Sequence, residues 1–225
     1  MIRPPENTLP SVLRSSVDAF CGDLIEGMHA MSQPLTILRG SFGATDVAGQ
    51  SIEDLRKLVR RSAREVERVC VLFNYLRQFV EIERLEAEPE IQDLSRLLGH
   101  AVEGVDLLFV EAGVGLNLEQ PGGTIPNVLI DGSRLEQAVC GILLGILGLA
   151  GRGNQVVVTT TAQNGFVRIT FSTSLVPVGP LVAETKLSMA LAAANLRSQG
   201  GNMTWRDEPL FAQIILPITD TSFSA

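Results

Sequence analysis

The feature that most constrains this chain is a long apolar periodicity near its start, which contains a proline. Over residues 13–42 the apolar side chains recur in steps of three and four, which predicts one buried stripe on a helix of roughly nine turns. Pro34 removes a helical N–H and clashes with the preceding turn, at a cost of about 3 kcal/mol in a helix interior. The pattern therefore predicts a long helix that bends one turn past His29.

A second long helix is predicted after a turn at residues 41–50. Ser51 is a suitable N-cap, and apolar residues at helical spacing continue from position 52 to position 80. The other face carries a run of basic side chains at residues 56–64, which indicates a solvated face, a surface for an acidic partner, or charges that balance the acids of the bundle itself. Two such helices form a hairpin. One hairpin alone leaves much of the apolar surface along the two helices, its seam, exposed to water. We therefore expect a homodimer that completes a four-helix bundle.

The pattern changes after an acidic segment at residues 81–90, which is the expected hinge. The predicted helices are residues 94–112, 134–149 and 181–199, and the predicted strands are residues 114–118, 128–130, 155–161, 166–171, 202–206 and 211–216. Asp131 is expected to cap the helix that follows it, and residues 163–165 are expected to form a hairpin turn. These elements predict an α/β sandwich with helices on one face of a mixed sheet.

Composition limits the class of protein. The 225 residues are 45% hydrophobic, which suits a folded chain with a real core. The net charge of −7 argues against nucleic acid as a main partner, since phosphate binding needs clustered Lys and Arg. We expect three regions: a flexible N terminus at residues 1–10, a helical-hairpin domain at residues 11–88, and the sandwich at residues 89–225.

The cysteines and the apolar runs indicate the compartment. Cys21, Cys70 and Cys140 are widely spaced, odd in number and set in apolar helical surroundings, which favours reduced core thiols over disulfides or a metal site. The N terminus lacks the apolar region of a signal peptide, and the longest apolar run, about thirteen residues, is too short to cross a bilayer. We expect a cytoplasmic protein that has no contact with a membrane and no sensor segment ahead of the hairpin.

Residues 27–40, GMHAMSQPLTILRG, resemble the H box of two-component histidine kinases in the variant that reads H-E-L-N-Q-P-L, with His29, Gln33, Pro34 and Leu35 matching directly. Three later segments resemble the ATP-binding half of these kinases: DGSRLEQAVCGILLGIL, VRITFSTS and LAAANLRSQGGNMTWRDEPLFAQIILPI. The resemblance extends over roughly residues 13–218. It implies a hairpin for dimerisation and histidine phosphotransfer, followed by an ATPase-like sandwich.

The residues that this family uses to hold ATP are absent. The two asparagines of the N box fall on Gly141 and Gly145, which offer no side-chain oxygen to magnesium. The Asp-x-Gly motif falls on residues 172–174, and the second glycine motif falls on residues 186–188. Only eleven residues separate Ser174 from Lys186, too few for the usual lid. We expect a degenerate domain that uses no ATP, metal or other cofactor.

Two interpretations of this degenerate region remain. Gly141, Gly145 and Gly148 are expected to let their helix approach the sheet closely, as in a packing domain. The alternative is a divergent nucleotide pocket in which Lys186 contacts phosphates.

The resemblance implies that His29 is a phosphoryl acceptor, whose neutral imidazole attacks an aspartyl phosphate held by a receiver domain that supplies magnesium. Ala30 stands where the family places an acid, and Glu26 or Ser32, each one turn away from the histidine, can replace it. Gln33 occupies the position from which related kinases orient water to dephosphorylate a receiver. The alternative is that His29 and Gln33 are simply polar residues flanking a bundle.

The leading prediction is a dimeric histidine phosphotransferase that relays phosphoryl groups between response-regulator receiver domains through His29, without ATP. Ser32, Leu35 and Arg39 are the predicted partner contacts. The alternative is a noncatalytic pseudo-histidine-kinase, a scaffold or inhibitor that binds receivers or kinases. A third possibility, an active autokinase, requires ATP binding. His100 and Trp205 are interpreted as structural.

Overall fold

The computed structural model describes residues 11–43, 51–119, 125–173, 182–206 and 211–218. The chain divides into two compact units, Met1–Phe79 and Val80–Ala225. The predicted flexible N terminus lies outside the described residues, and so do most of the predicted turn at residues 41–50 and most of the short lid region.

The first unit is built from two long helices, α1 (Ser11–Gly43) and most of α2 (Ile52–Arg84). Helix α1 continues through Pro34, whose side chain is buried. The hydroxyl of Ser32 donates to the Met28 carbonyl at 3.2 Å, and the hydroxyl of Thr36 donates to the Ser32 carbonyl at 2.7 Å. Such bonds to the preceding turn are typical of helices that depart from straight geometry.

The start and the direction of α2 follow from short-range constraints. The Ser51 hydroxyl accepts from the Asp54 amide at 3.2 Å, which confirms the predicted N-cap. A helix the length of α1 is about 50 Å long, whereas the eight residues between Gly43 and Ile52 reach at most about 28 Å. Because α1 and most of α2 also belong to one compact unit, α2 runs back antiparallel to α1, as the predicted hairpin requires.

Each of the two helices leaves a row of apolar side chains exposed. On α2 these side chains are between 40% and 72% exposed, and on α1 between 49% and 65%. They recur every seven residues: Ile52, Val59, Val66, Phe73 and Val80 on α2, and Met28, Leu35 and Phe42 on α1. We call these two rows the heptad stripes. The expectation that one hairpin leaves much of its apolar seam exposed to water is confirmed.

The second unit is an α/β sandwich. Its strands are β1 (Glu90–Gln92), β2 (Gly115–Glu119), β3 (Val128–Ile130), β4 (Gln155–Gln163), β5 (Phe166–Thr173), β6 (Asn202–Arg206) and β7 (Phe211–Pro217), and its helices are α3 (Leu94–Ala112), α4 (Gly132–Leu147) and α5 (Ala183–Arg197). The main sheet has the order β2-β4-β5-β7-β6, with β2 and β4 parallel and the other pairs antiparallel. Strands β1 and β3 form a separate antiparallel pair.

Only one face of the main sheet meets the core. Buried and less buried side chains alternate along β4, β5 and β7, as expected for strands with one covered face. The three helices contribute their buried residues to the same core. The predicted fold class, a helical hairpin followed by a mixed α/β sandwich, is confirmed.

Several local predictions in this unit are confirmed, and one short strand was not predicted. The Asp131 carboxylate caps α4 by accepting from the Arg134 amide at 3.2 Å. Asn164 and Gly165 form the hairpin turn with φ values of 54° and 79°. Trp205 lies on the edge strand β6 and packs against the core. Strand β1, which was not predicted, begins at Glu90, the last residue of the predicted hinge, and its Ile91 lies opposite Leu129 of β3.

A buried guanidinium joins three parts of the second unit. Arg134, at the start of α4, is 8% exposed. Its Nη1 donates to the Ser198 hydroxyl at 2.8 Å, and its Nη2 donates to the Leu85 carbonyl at 2.5 Å. The Asp131 carboxylate accepts from the Glu88 amide at 3.2 Å. The segment that follows α2 is thus bonded to both α4 and the end of α5.

The cysteine prediction needs correction. Cys21 and Cys70 are unpaired and exposed, so they are not core thiols in this chain, and Cys21 lies one heptad before Met28 on α1. Cys140 is half-buried, and burial together with the nearby Glu136 carboxylate raises the pKa of its thiol. None of the described helices is both long enough and apolar enough to span a bilayer.

Candidate functional site

His29 lies near the middle of α1 with its side chain exposed. The period of the helix puts Glu26 and Gln33 on the same side of α1, and both are exposed. Gly22 and Gly40 continue this line in either direction, and a Cβ added at either position would meet no atom within 4 Å. The imidazole therefore lies in an exposed column of small or polar residues on α1.

The predicted partner contacts lie on different sides of α1. Leu35 belongs to the heptad stripe, about 120° around the helix from His29. Ser32 and Arg39 are exposed between these two faces. The structure thus brings Glu26, His29 and Gln33 together and separates Leu35 from them. Sequence reasoning missed the two flanking glycines, although their spacing from His29 is visible in the sequence.

The positions matched to the N box and to the second glycine motif contact each other. The Ser188 hydroxyl on α5 donates to the Gly141 carbonyl on α4 at 2.7 Å. A Cβ added at Gly141 would lie 3.4 Å from the Ser188 Oγ, and one added at Gly145 would lie 3.1 Å from the Met189 Cε. No side chain separates the two helices at these glycines.

The expected role of these glycines is therefore corrected. They let α4 approach helix α5, not the sheet. Gly141, Gly145 and Gly148 recur at intervals of four and three, which puts them on one face of α4, and all three have atoms of Thr185 or Ser188 within 4 Å of an added Cβ. The sequence identifies such a face but not the element that packs against it.

The remaining motif positions offer no ligand for a nucleotide base among the described residues. Ser172 donates its hydroxyl to the Val157 carbonyl within the sheet at 3.4 Å, and Thr173 is buried. Ser174, the third motif position, lies outside the described residues. Lys186, the candidate phosphate contact, has an exposed side chain.

Two cavities of about 390 Å³ in this unit lie elsewhere. One is lined by the ends of α3 and α4 and is predominantly acidic, with Glu88, Asp93, Asp131 and Glu136 around His100. The other lies beside the β4–β5 turn, next to Phe166 and Arg168. Neither includes a motif position, and an acidic lining disfavours phosphate. In the described part of the chain no group of three His, Cys, Asp or Glu side chains is placed to hold a metal ion.

Comparison with known proteins identifies the fold. No family model matches the chain, and no curated protein is similar to it in sequence. Histidine kinase AdeS of Acinetobacter baumannii matches in structure with 17% identity over 85% of this chain and 98% of that chain, at a TM-score of 0.64. Histidine kinase ThkA, solved in complex with the response regulator TrrA, matches with 16% identity over 85% of this chain, at a TM-score of 0.66.

A third structure, full-length ShkA in complex with AMPPNP, matches 94% of this chain with 16% identity and a TM-score of 0.57. The match covers 46% of the ShkA chain and 60% of the ThkA chain. At these identities the likeness shows the fold alone. The chain has the fold of histidine kinases, a helical hairpin followed by an ATPase-like α/β domain.

Proposed function

We propose that this protein is a histidine phosphotransferase that passes phosphoryl groups between response-regulator receiver domains through His29. The exposed imidazole in its column of small and polar residues is the observation that carries the proposal. A neutral imidazole nitrogen attacks the phosphorus of a receiver's aspartyl phosphate, so a P–N bond forms while the acyl P–O bond breaks and the receiver's carboxylate is released. The reverse reaction delivers the phosphoryl group to the aspartate of a second receiver.

The neighbours of His29 have supporting roles in this proposal. Glu26 is one turn earlier on the same side of α1, where its carboxylate can accept a hydrogen bond from the second ring nitrogen and fix the tautomer of the imidazole. Gln33 is one turn later, where its amide can orient water toward an aspartyl phosphate. Magnesium would be held by the receiver, so this chain needs no metal site of its own.

The contact between α4 and α5 supports phosphotransfer without ATP. Glycines replace the asparagines that would ligate magnesium, and the Ser188 hydroxyl bonds to the backbone of Gly141 at the matching position of the other helix. In this proposal, the space that the resemblance assigns to a nucleotide is used for packing. The protein would act on phosphoryl groups that a separate kinase has produced.

The heptad stripes support a homodimer. A seven-residue apolar repeat on both helices of a hairpin is the pattern of a helix bundle that is completed by another pair of helices. A second copy of the hairpin covers these side chains by symmetric packing. We also expect the protein to be cytoplasmic, since the exposed thiols of Cys21 and Cys70 suit a reducing compartment.

A labelled phospho-receiver tests the proposal. Wild-type protein mixed with receivers phosphorylated by acetyl [³²P]phosphate should acquire acid-labile label, and His29→Ala should acquire none. Because the side chain of His29 is exposed, circular dichroism of the variant should match wild type. Calorimetry with Mg-ATP should give no binding at micromolar concentrations. Label that stays on every receiver, with wild type and variant alike, overturns phosphotransfer.

The second candidate function is a noncatalytic scaffold or inhibitor that binds receivers or kinases. It is favoured by Ala30, which leaves no acid directly after the histidine. Under this alternative, His29→Ala binds receivers as tightly as wild type and leaves the cellular phenotype unchanged. Loss of the phenotype in the His29→Ala strain, with receiver binding intact, excludes this alternative.

A further inference from the structure

Three exposed cations form a line along one side of α2. Lys57, Arg61 and Arg64 are spaced by four and three residues, which places them one above another on the helix. We call them the basic column. Arg68, next in line, is paired with Glu65 at 3.3 Å, whereas Lys57 and Arg61 have no ion pair among the described residues. Like charges at this spacing repel one another.

The basic column and His29 lie on the same side of the hairpin. Seen down the axis of α1, the heptad stripe lies about 90° around the helix from the buried residues Gly27 and Pro34, which form the seam. His29 lies about 150° from the same seam, in the opposite direction of rotation. On α2 the heptad stripe lies about 80° around the helix from the seam at Leu58 and Ser62. The basic column lies about 110° from this seam, in the opposite direction of rotation. Because the helices are antiparallel and their seams face each other, both stripes point to one side. His29 and the column point to the other.

The column also begins at the height of His29. His29 precedes Gly43 by fourteen residues, or about 21 Å along α1, and Arg64 follows Ile52 by twelve, or about 18 Å along α2. From Arg64 the column runs about 10 Å toward the connection between the helices, as far as Lys57. A domain of 100 residues has a radius of gyration of about 13 Å, so one receiver over His29 also covers the column.

We propose that the basic column is an electrostatic docking site for the acidic mouth of the receiver that exchanges its phosphoryl group with His29. The inference rests on the proposed function. A receiver's phosphorylation pocket is anionic, because carboxylates hold magnesium beside a phosphoryl group of charge near −2. Cations fixed on a rigid helix beside the accepting imidazole steer such a surface into place and discriminate against receivers with a basic rim.

A pair of matched charge reversals tests the docking site. The double variant Lys57→Glu/Arg61→Glu changes the column, and Arg56→Glu/Arg60→Glu makes the same charge change one residue earlier, about 100° around the helix. The measurement is the initial rate of label transfer from a panel of purified receivers phosphorylated by acetyl [³²P]phosphate. The column variant should be slower by roughly 10- to 100-fold at low salt, and the control should stay within about threefold of wild type.

Salt dependence separates docking from a structural role. Transfer to wild type should slow as ionic strength rises, whereas transfer to the column variant should be nearly independent of salt, because the charges that steer the encounter are gone. Light scattering and circular dichroism should give the same mass and helicity for both double variants. Equal slowing in the two variants, with wild type still labelled, overturns the docking site and leaves phosphotransfer standing.

Three other outcomes are distinguishable. If column-dependent receiver binding persists but wild type never acquires label, docking stands and phosphotransfer fails. If the column variant loses binding to phosphatidylglycerol vesicles while its transfer rate equals that of wild type, the column is a lipid site and the proposal is overturned. A panel in which no receiver binds or transfers label overturns both proposals.

Discussion

Glycines line one side of two helices in this protein, and the two sets have opposite surroundings. Gly22 and Gly40 on α1 face open space above and below His29. Gly141 and Gly145 on α4 face α5, with side-chain atoms 3.1 to 3.4 Å from an added Cβ. The first set lies on the exposed side of α1 that carries His29. The second set lies at the contact between α4 and α5.

The apolar residues of the two units differ in the same way. The hairpin exposes eight large apolar side chains in its heptad stripes, whereas the sandwich buries most of its apolar residues in one core. Exposed apolar rows of this size mark interaction surfaces. The hairpin is thus suited to encounters with other chains, and the sandwich is a packed body with its own interior. The predictions below test this contrast, starting from the largest expected effect.

The largest effect is expected in the heptad stripe of α2. Replacing Val66 and Phe73 by glutamate puts two buried charges per chain into the proposed dimer interface, which should weaken the dimer by at least roughly 100-fold, or about 3 kcal/mol. Light scattering at micromolar concentrations should then report a monomer. The matched control is Leu107→Glu/Val110→Glu on α3, which changes two similarly exposed apolar residues in the sandwich. Equal masses for both variants and wild type would contradict the dimer.

The next largest effect is expected at Arg134. Replacing it by methionine leaves the largely buried Asp131 carboxylate without its cation and removes the donors to Leu85 and Ser198, so the free energy of unfolding should fall by about 3 kcal/mol. Hydrogen exchange at residues 85–88 should accelerate as well. Arg96→Met, an exposed control on α3, should change stability by less than about 0.5 kcal/mol. Unchanged exchange in the Arg134 variant would show that this bonding does not hold the segment.

A smaller effect is expected at Gly145. Asparagine there restores the family's residue type but places an amide against Met189 and Thr185, which should cost about 1–3 kcal/mol of stability through overpacking. Thermal unfolding with and without Mg-ATP measures both consequences. We expect a lower midpoint and no shift on adding nucleotide. A variant of normal stability that Mg-ATP stabilises would mean that the pocket between α4 and α5 still exists.

The smallest effect is expected at Gly40. Alanine at this open helical position should raise the free energy of unfolding by roughly 0.5–1 kcal/mol, because it reduces the freedom of the unfolded chain and meets no atom in the folded one. Urea titration measures the change, and label transfer from a phospho-receiver should be unaffected. If Gly40→Ala instead destabilised the protein as much as Gly145→Asn, Gly40 would not face open space, and the two sets of glycines would not differ in their surroundings.

The sequence predicted those parts of the structure that depend on local signals. The Asp131 cap, the turn at Asn164 and Gly165, and the bounds of α3 follow from short-range preferences that act within a few residues. The exposure of His29 also followed from its place beside an apolar periodicity. Its role in chemistry, in contrast, depends on a partner and stays a proposal.

The parts that were missed depend on distant contacts. Strand β1 has three residues and pairs with β3 about forty residues later, and a strand this short leaves no periodic pattern in the sequence. The partner of Gly141 and Gly145 was misjudged because spacing defines a face of α4 but not its neighbour. Which apolar residues of α1 and α2 are buried within the hairpin, and which stay exposed, likewise depends on how the two helices pack.

Direct detection of phosphohistidine tests the central claim most simply. Wild-type protein is incubated with a receiver phosphorylated by acetyl phosphate, in the absence of ATP, and is then examined by intact mass and ³¹P NMR. We expect one acid-labile phosphoryl group per chain with the resonance of a P–N bond, absent from His29→Ala and retained in Gly40→Ala. A wild-type chain that binds the receiver yet never carries this group, or carries it only when Mg-ATP is added, would contradict phosphotransfer through His29.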